Sequence, residues 1–316
     1  MIQSARSQHD AFAPSDWAWL VAVAAIWGAS FLFIDIGVDH FQPAVVAFLR
    51  LWFGVAALAT IPAARRAVPL SQWPAIAALG VVWMALPFLL FSIAQQSIDS
   101  SLAGMLNAAA PLFIALIGVV AFRRRPGPRQ LVGLLVGFAG VVVVSWPAIV
   151  GAHASALGVS LVLLATLCYG FAGNLASPLQ VRNGALPVVL RAALVALAVM
   201  TPLGLRGIAD STFAWSSLLA VAALGIFGTA VAFVGFTTLV GRVGAARGSV
   251  TIYFLPLVAM ILGAVVRDER IAALSIAGTA LVLLGAYLAS RAERRAIRQP
   301  FPADATEAPV RKRHTA

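Results

Sequence analysis

The stretch ALGVVWMALPFLLF at residues 78–91 returns as ALGIFGTAVAFVGF at residues 223–236. The same offset of 145 residues carries residues 78–141 onto residues 223–286 without a gap. An internal repeat of this length decides the fold, because each copy must be one structural unit. The repeat superposes residues that shape helices: Gly80 on Gly225, Phe88 on Phe233, Phe91 on Phe236, Pro111 on Pro256, Gly118 on Gly263, Gly133 on Gly278 and Gly140 on Gly285.

The composition is that of a membrane protein, since 61% of the residues are hydrophobic and only 10% are charged, against roughly 25% charged in soluble domains. About 20 apolar residues cross a hydrocarbon core of about 30 Å. Backbone groups in lipid must bond within the segment, so such runs form helices. We therefore predict an all-α membrane protein with ten transmembrane helices at 17–37, 43–62, 73–95, 100–122, 129–147, 157–177, 185–204, 213–239, 245–266 and 271–290.

The basic residues of the loops indicate how the chain is oriented. With this threading, 17 of the 22 basic residues lie on one side of the membrane, together with both termini. Basic loops stay in the cytoplasm, so we expect residues 1–16 to be a cytoplasmic N-terminus and residues 291–316 a disordered cytoplasmic tail. The first apolar run reads as a retained span and not as a signal peptide. A single lysine against 21 arginines is typical of a GC-rich bacterial genome, so we expect the bacterial inner membrane.

The repeat extends to the first two helices of each half. Trp27 and Gly28 match Tyr169 and Gly170, and Arg50 matches Arg191. Each copy therefore has five helices, at residues 17–147 and 157–290. Because five is odd, the second copy enters the membrane from the opposite side. Inverted repeats of this kind are typical of alternating-access transporters, whose substrate site lies near the midplane between the halves.

In these features the chain resembles the EamA-type ten-helix members of the drug/metabolite transporter superfamily. The resemblance covers nearly all of residues 17–290. It is carried by five features in order: the Trp-Gly-Ala-Ser-Phe run at Trp27–Phe31, Arg50 after Pro43, Gly104 seven residues before Pro111, the equivalent pair Ser249 and Pro256, and the turn Arg267–Arg270. The sequence departs from the family pattern at Arg123–Arg125, where the first repeat often ends in an acidic turn like the one kept at Glu269.

The resemblance implies an exporter of amino acids or similar small metabolites, with a central cavity lined by helices of both halves. Efflux of drug-like amphiphiles is the alternative within transport. An intramembrane enzyme is a remote alternative, because no catalytic pair of acids and no nucleophile with a base shares a depth in the membrane. A non-transporting scaffold protein is another remote alternative. The expected partners are a small-molecule substrate and membrane lipid.

Two prolines near the centres of the fourth and ninth helices are candidate hinges. Proline lacks an N–H and clashes with the carbonyl four residues earlier, so Pro111 should free the carbonyl of Asn107 and Pro256 that of Ile252. Freed carbonyls at mid-membrane need a partner, and the nearby polar side chains of Thr251 and Tyr253 favour a binding site. A simple packing kink is the alternative.

Aromatic residues near mid-span form the second candidate group, because an indole or phenol combines an apolar face with a polar atom. Plain packing remains the alternative for these four rings: Trp27, Trp83, Tyr169 and Tyr253. The full set of candidate cavity residues is Trp27, Ser30, Trp83, Asn107, Tyr169, Asn174, Thr251 and Tyr253.

Arg50 and Arg191 are the basic residues placed well inside spans. An intramembrane arginine costs at least ~2.5 kcal/mol unless it is paired or hydrated, so a functional role is the default. We expect the two arginines to line opposite vestibules and to attract substrate carboxylates; snorkelling or binding backbone carbonyls is the alternative. Asp35 is a possible partner for Arg50.

Small residues on the fifth and tenth helices form faces that let helices approach closely. Gly133, Gly137, Gly140, Gly278 and Gly285 are expected to be scaffold and conceivably a dimer face, although a monomer is the simpler expectation. No metal-binding or phosphate-binding motif appears in the sequence, so we expect no cofactor and no metal. The basic residues are spread between apolar runs, which argues against a nucleic-acid partner.

Overall fold

The structure is a computed structural model that describes residues 13–123, 127–150, 155–243 and 248–297. Every regular element in these ranges is a helix. The helices are α1 (Pro14–Val38), α2 (Pro43–Ala59), α3 (Leu70–Ala94), α4 (Ser100–Val120), α5 (Pro128–Val150), α6 (Ala156–Asn183), α7 (Ala185–Ile208), α8 (Trp215–Val243), α9 (Ser249–Val266) and α10 (Ala273–Ile297).

Seven of these helices are long and apolar enough to cross a membrane, and α2, α9 and α10 contain shorter apolar stretches. The chain is therefore an all-helical, multi-pass membrane protein, as its composition predicts. The end of α10 differs from the expected disordered tail from residue 291, because the helix continues to Ile297. Residues 1–12 of the expected cytoplasmic N-terminus and residues 298–316 of the tail lie outside the described residues.

Helices α3 and α8 each contain a π-helical segment, at Val81–Ala85 and at Leu224–Val231. The two segments overlap when the chain is superposed at the offset of 145 residues. A close approach accompanies each of them: a Cβ on Gly80 would lie 2.6 Å from the carbonyl oxygen of Ala192 in α7, and one on Gly225 would lie 2.6 Å from that of Arg50 in α2. Only glycine fits there. Both π segments therefore pack against the helix of the other half that carries an intramembrane arginine.

Helices α4 and α9 are each interrupted just before their proline. Helix α4 consists of α4a (Ser100–Asn107) and α4b (Ala110–Val120), and α9 consists of a 3₁₀ segment, α9a (Ser249–Phe254), and α9b (Leu255–Val266). Pro111 and Pro256 occupy the first turn of the second parts, where a missing N–H costs nothing.

The expectation of a free carbonyl at Ile252 is therefore wrong. The N–H of Leu255 donates to it, because a 3₁₀ turn bonds each carbonyl to the residue three positions later. The chain accommodates Pro256 by tightening the turn that precedes it.

The glycine faces of α5 and α10 pack on each other. A Cβ on Gly140 would lie 2.6 Å from the backbone nitrogen of Val282, and one on Gly278 would lie 2.5 Å from that of Val144. These contacts favour the scaffold role for this face, because the other helix of the same chain covers it. The α5–α10 pair flanks the remaining helices, in which α1–α4 pack against α6–α9.

Candidate substrate-binding site

Trp27 joins α1 to the π-helical segment of α8. Its Nε1 donates a hydrogen bond to the carbonyl of Gly228 at 3.0 Å. A π turn disturbs the regular helical bonding pattern, and a carbonyl in such a turn can accept from a side chain. The indole ring packs on Phe233 at 5.5 Å and on Phe236 at 5.1 Å between ring centroids.

Trp83 lies on the same aromatic group. It belongs to the π-helical segment of α3, and its ring meets Phe233 edge-on at 5.1 Å. The structure therefore brings two of the predicted tryptophans together through one phenylalanine of α8. Edge-to-face pairs of this kind are a preferred geometry of aromatic rings.

Tyr169 belongs to a second aromatic group formed by α1, α3 and α6. Its ring stacks on Phe91 at 6.0 Å between centroids, and Phe91 in turn meets Phe31 at 5.6 Å. Both aromatic groups include residues of α1 and α3.

Arg50 is buried, with 7% of its surface exposed. Its guanidinium carbon lies 3.6 Å from the centroid of the Phe88 ring, and its Nε reaches the Thr229 hydroxyl at 3.4 Å. Within the described ranges no carboxylate forms an ion pair with it. The predicted pairing with Asp35 is wrong, because Asp35 pairs with Arg267. A guanidinium has five N–H donors, so Arg50 can still bind an anion.

Ser30 lies where α1 and α8 approach each other beside Arg50. Its hydroxyl donates to the carbonyl of Ile26 at 3.0 Å, which leaves its oxygen able to accept. A Cβ on Gly228 would lie 3.0 Å from the Ser30 oxygen and 4.0 Å from Nη2 of Arg50. Glycine at this position therefore keeps open the space between the hydroxyl and the guanidinium.

Arg191 has different surroundings from Arg50, although the two match in the repeat. Its Nη1 donates to the carbonyl of Ala64 at 2.8 Å and to that of Pro187 at 3.3 Å, and its Nη2 donates to that of Arg65 at 3.3 Å. These contacts favour a structural role for Arg191, because its guanidinium joins α7 to the turn that follows α2.

Asn174 also binds main-chain atoms. Its Nδ2 donates to the carbonyls of Ile114 at 3.0 Å and Gly170 at 2.9 Å, so the side chain ties α6 to α4b. An amide has two N–H donors, and both are used here. Asn174 therefore holds α4b against α6, and its donors are not free for a substrate.

Asn107 and Thr251 lie at the two helix interruptions, and both are buried. Among the described residues, Asn107 Oδ1 and Thr251 Oγ1 have no hydrogen-bond partner. Buried polar atoms are nearly always bonded, so each exception needs an explanation. Tyr253 packs against the apolar core that includes Phe31 and Phe91. The interruptions before Pro111 and Pro256 thus leave buried polar atoms to which a substrate could donate hydrogen bonds.

Several site residues escaped the sequence analysis. Thr229 and Phe88 contact Arg50, and Phe233 and Phe236 hold Trp27. The repeat contained a signal, because Phe88 and Phe91 superpose on Phe233 and Phe236. Among the described residues no group of His, Cys, Asp and Glu could hold a metal ion.

The EamA-like transporter family matches residues 17–146 and 156–291 of this sequence. The chain belongs to this family. The resemblance seen in the sequence is confirmed, and an EamA-family chain is a transporter and not an enzyme. Its partners therefore include a small-molecule substrate and the membrane in which it is embedded.

The proteins that this chain is similar to include two that are named as a probable exporter and a probable efflux pump. The chain is 28% identical over 281 residues to a probable terminal-alkyne amino-acid exporter of Streptantibioticus cattleyicolor, covering 87% of this chain and 93% of the relative. It is 26% identical over 287 residues to a probable amino-acid metabolite efflux pump of Escherichia coli K12, covering 86% and 94%. A solved crystal structure shares the fold, with a TM-score of 0.60 at 20% identity over 89% of this chain and 98% of that one.

Proposed function

We propose that this EamA-family protein exports amino acids or similar small metabolites across the bacterial inner membrane. In this proposal ten helices span the membrane as two inverted five-helix halves, and both termini are cytoplasmic. The halves rock around a central cavity to give alternating access. Three features support the inverted arrangement: the repeat itself, the π segments that superpose in α3 and α8, and the interruptions before Pro111 and Pro256.

The observation that carries the substrate proposal is Arg50, a buried guanidinium that lies on Phe88 and has no acidic partner among the described residues. Bringing a charge into the membrane is costly unless it has a partner, and the carboxylate of an amino acid is a partner of matching geometry. The relatives named as amino-acid exporters agree with this chemistry. Arg50 is thus the proposed carboxylate-binding residue, and Arg191 holds the scaffold.

The other cavity residues are assigned by their chemistry. Trp27, Trp83 and Tyr169 would cover the apolar part of the substrate, as aromatic side chains do in most ligand pockets. The unbonded oxygens of Asn107 and Thr251 would accept hydrogen bonds from its amino group. The interruptions before the two prolines would allow the helix parts to move as hinges during the cycle.

Efflux of drug-like amphiphiles is a second candidate function. It is favoured by the two aromatic groups around Phe91 and Phe233, which would suit a large apolar compound. Arg50 argues against cationic compounds, because like charges repel in a region of low dielectric constant.

The decisive experiment is uptake into liposomes that contain the purified protein, with a panel of radiolabelled amino acids, their uncharged amides and one amphiphilic dye. Two imposed pH gradients would show whether protons drive transport. In the variant Arg50→Gln we expect transport of the acids to fall at least tenfold and transport of the amides to change little. Arg206→Gln is the matched control, because Arg206 is exposed at the end of α7. Equal loss for acids and amides would contradict the proposal.

A further inference from the structure

The two ends of the molecule differ in the chemistry that joins its halves. One end carries the turns at residues 39–42, 95–99 and 267–272 and is called the acidic end. The opposite end carries the turn at residues 60–69 together with the ends of α4 at Val120 and of α8 at Val243, and is called the arginine end. The difference between them bears on which way the cavity opens, an inference that depends on the proposed alternating access.

At the acidic end, Glu269 binds the N-terminus of α4a. Its Oε1 accepts from the backbone N–H of Ser100 at 2.9 Å and from the Ser100 hydroxyl at 2.7 Å, and its Oε2 accepts from the N–H of Ser101 at 2.9 Å. A carboxylate at a helix N-terminus gains from the helix dipole as well as from these hydrogen bonds. Glu269 therefore fixes the second half of the chain to the first.

The same turn forms a second connection between the halves. Arg267 pairs through Nε with Asp35 and through Nη2 with Asp39 at 2.6 Å, both at the end of α1. These two carboxylates raise the pKa of Arg267, which remains charged. The backbone of the turn is anchored as well, because the N–H groups of Arg267 and Glu269 both donate to the carbonyl of Gly263.

Behind these contacts, α4a and α9b pack directly on each other. Gly104 lies against Ala259 so closely that any side chain larger than hydrogen would collide. The equivalent pair at the arginine end is α9a with α4b. There α9a packs mainly on α1 and on α9b, and α4b packs on α6 and α10. Among the described residues, therefore, the arginine end has no helix pairing as extensive as that of α4a with α9b at the acidic end.

The sequence of the arginine end has no hydrogen-bond acceptor at the position equivalent to Glu269. At the offset of 145 residues, Gly118 is equivalent to Gly263 and Arg123 is equivalent to Asp268. Arg123 and Asp268 have the same left-handed backbone, with φ values of 51° and 54°. The residue equivalent to Glu269 is Arg124. An arginine accepts no hydrogen bond from an N–H, and its charge is unfavourable beside a helix N-terminus.

We propose that Glu269 is the latch of a gate at the acidic end, and that it biases the resting transporter towards a cavity open at the arginine end. With the termini in the cytoplasm, that bias leaves the cavity open to the cytoplasmic side. A resting state of this kind suits an exporter, because the substrate arrives from the cytoplasm. Release of the substrate at the acidic end then requires the Glu269 carboxylate to break its hydrogen bonds with the N–H groups of Ser100 and Ser101.

The test measures conformation rather than flux, with nitroxide labels in a Cys168→Ser background. One pair of labels, at Gln96→Cys and Ala272→Cys, spans the acidic end. A second pair, at Ala121→Cys and Gly241→Cys, spans the arginine end. Distance distributions are recorded by double electron–electron resonance on the purified protein in lipid nanodiscs. We expect one short-distance population at the acidic end in the parent protein.

Glu269→Gln should raise the long-distance population at the acidic end about tenfold, because an amide cannot accept all three bonds that the carboxylate accepts. Gly263→Ala should do the same, since its methyl group would displace the Glu269 carboxylate. Asp268→Asn is the matched control: it removes one negative charge beside Glu269 at a left-handed position that asparagine tolerates.

Unchanged distances in both Glu269→Gln and Gly263→Ala would overturn the latch, as would an equal shift in Asp268→Asn. The second label pair separates this result from the failure of the proposed function. If the acidic end opens and the arginine end does not close in return, the latch stands and alternating access is wrong. If both pairs respond and no amino acid is transported, only the substrate proposal fails.

Discussion

The indole Nε1 of Trp27 donates to the carbonyl of Gly228, 3.0 Å away, and so fastens α1 to the π-helical segment of α8. The bond joins the two halves at the depth of the proposed cavity. Phe233 and Phe236 hold the indole ring in place. This contact can be altered without changing the charge of the site.

Trp27→Phe should separate the hydrogen bond from the ring packing. The variant keeps an aromatic ring against Phe233 and loses the N–H, which should lower the free energy of unfolding by about 1 kcal/mol. Thermal unfolding in detergent, followed by tryptophan fluorescence, measures this change. Trp146→Phe is the control, because Trp146 is 54% exposed near the end of α5. A larger loss for Trp146→Phe than for Trp27→Phe would contradict the assignment.

Arg191→Gln should act on stability. The guanidinium donates to the carbonyls of Ala64 and Arg65, and losing bonds from a charged donor costs about 1.5–3 kcal/mol. Transport of acids and of their amides should fall together, in proportion to the folded protein that remains. Arg182→Gln, at the exposed end of α6, provides the comparison. A selective loss of acid transport in Arg191→Gln would instead make this arginine a substrate residue.

Asn107→Ala and Thr251→Val should impair transport and spare the fold. The oxygens that these variants remove have no hydrogen-bond partner in the part of the chain that the structure describes, so no hydrogen bond seen there is lost. Removing an unbonded buried polar atom should leave the unfolding temperature unchanged or raise it. Liposome uptake and thermal unfolding should be measured on the same preparations. Unchanged uptake in both variants would exclude these oxygens from the site.

The α5–α10 contact should tolerate no added methyl group. Gly140→Ala and Gly278→Ala would each place a Cβ within 2.6 Å of a backbone nitrogen of the other helix, and overpacking of this kind costs about 1–3 kcal/mol. Gly241→Ala is the control, because nothing lies within 4 Å of a Cβ at that position. Unfolding temperatures of the three variants give the comparison. Stable Gly140→Ala protein would mean that the two helices can separate.

The helices could be predicted from the sequence because long apolar runs leave the backbone no other structure in lipid. The repeat was equally accessible, since Gly80, Phe88 and Pro111 each return at one offset. The π segments could not be predicted in this way. Hydropathy reports which residues face lipid, whereas a shift from the α to the π bonding pattern changes one turn and leaves the composition as it was.

The partners of the charged residues also lay beyond the sequence. Spacing along a helix gives the depth of Arg50 and of Asp35 and says little about which neighbour each side chain faces. Asp35 in fact pairs with Arg267, which is more than 200 positions away in the chain. The prediction of the aromatic candidates was more accurate, because the rings of Trp27 and Trp83 both contact Phe233. Asn174 shows the opposite outcome, since its amide serves the backbone of α4b.

The backbones of α5 and α10 are in direct contact, so neither helix can slide or rotate against the other. We expect this helix pair to keep its arrangement while the remaining helices move. A dye on the exposed Leu135 of α5 or Leu284 of α10 would then mark a stationary frame. Any movement measured relative to α5 and α10 would then belong to the other helices of the transporter.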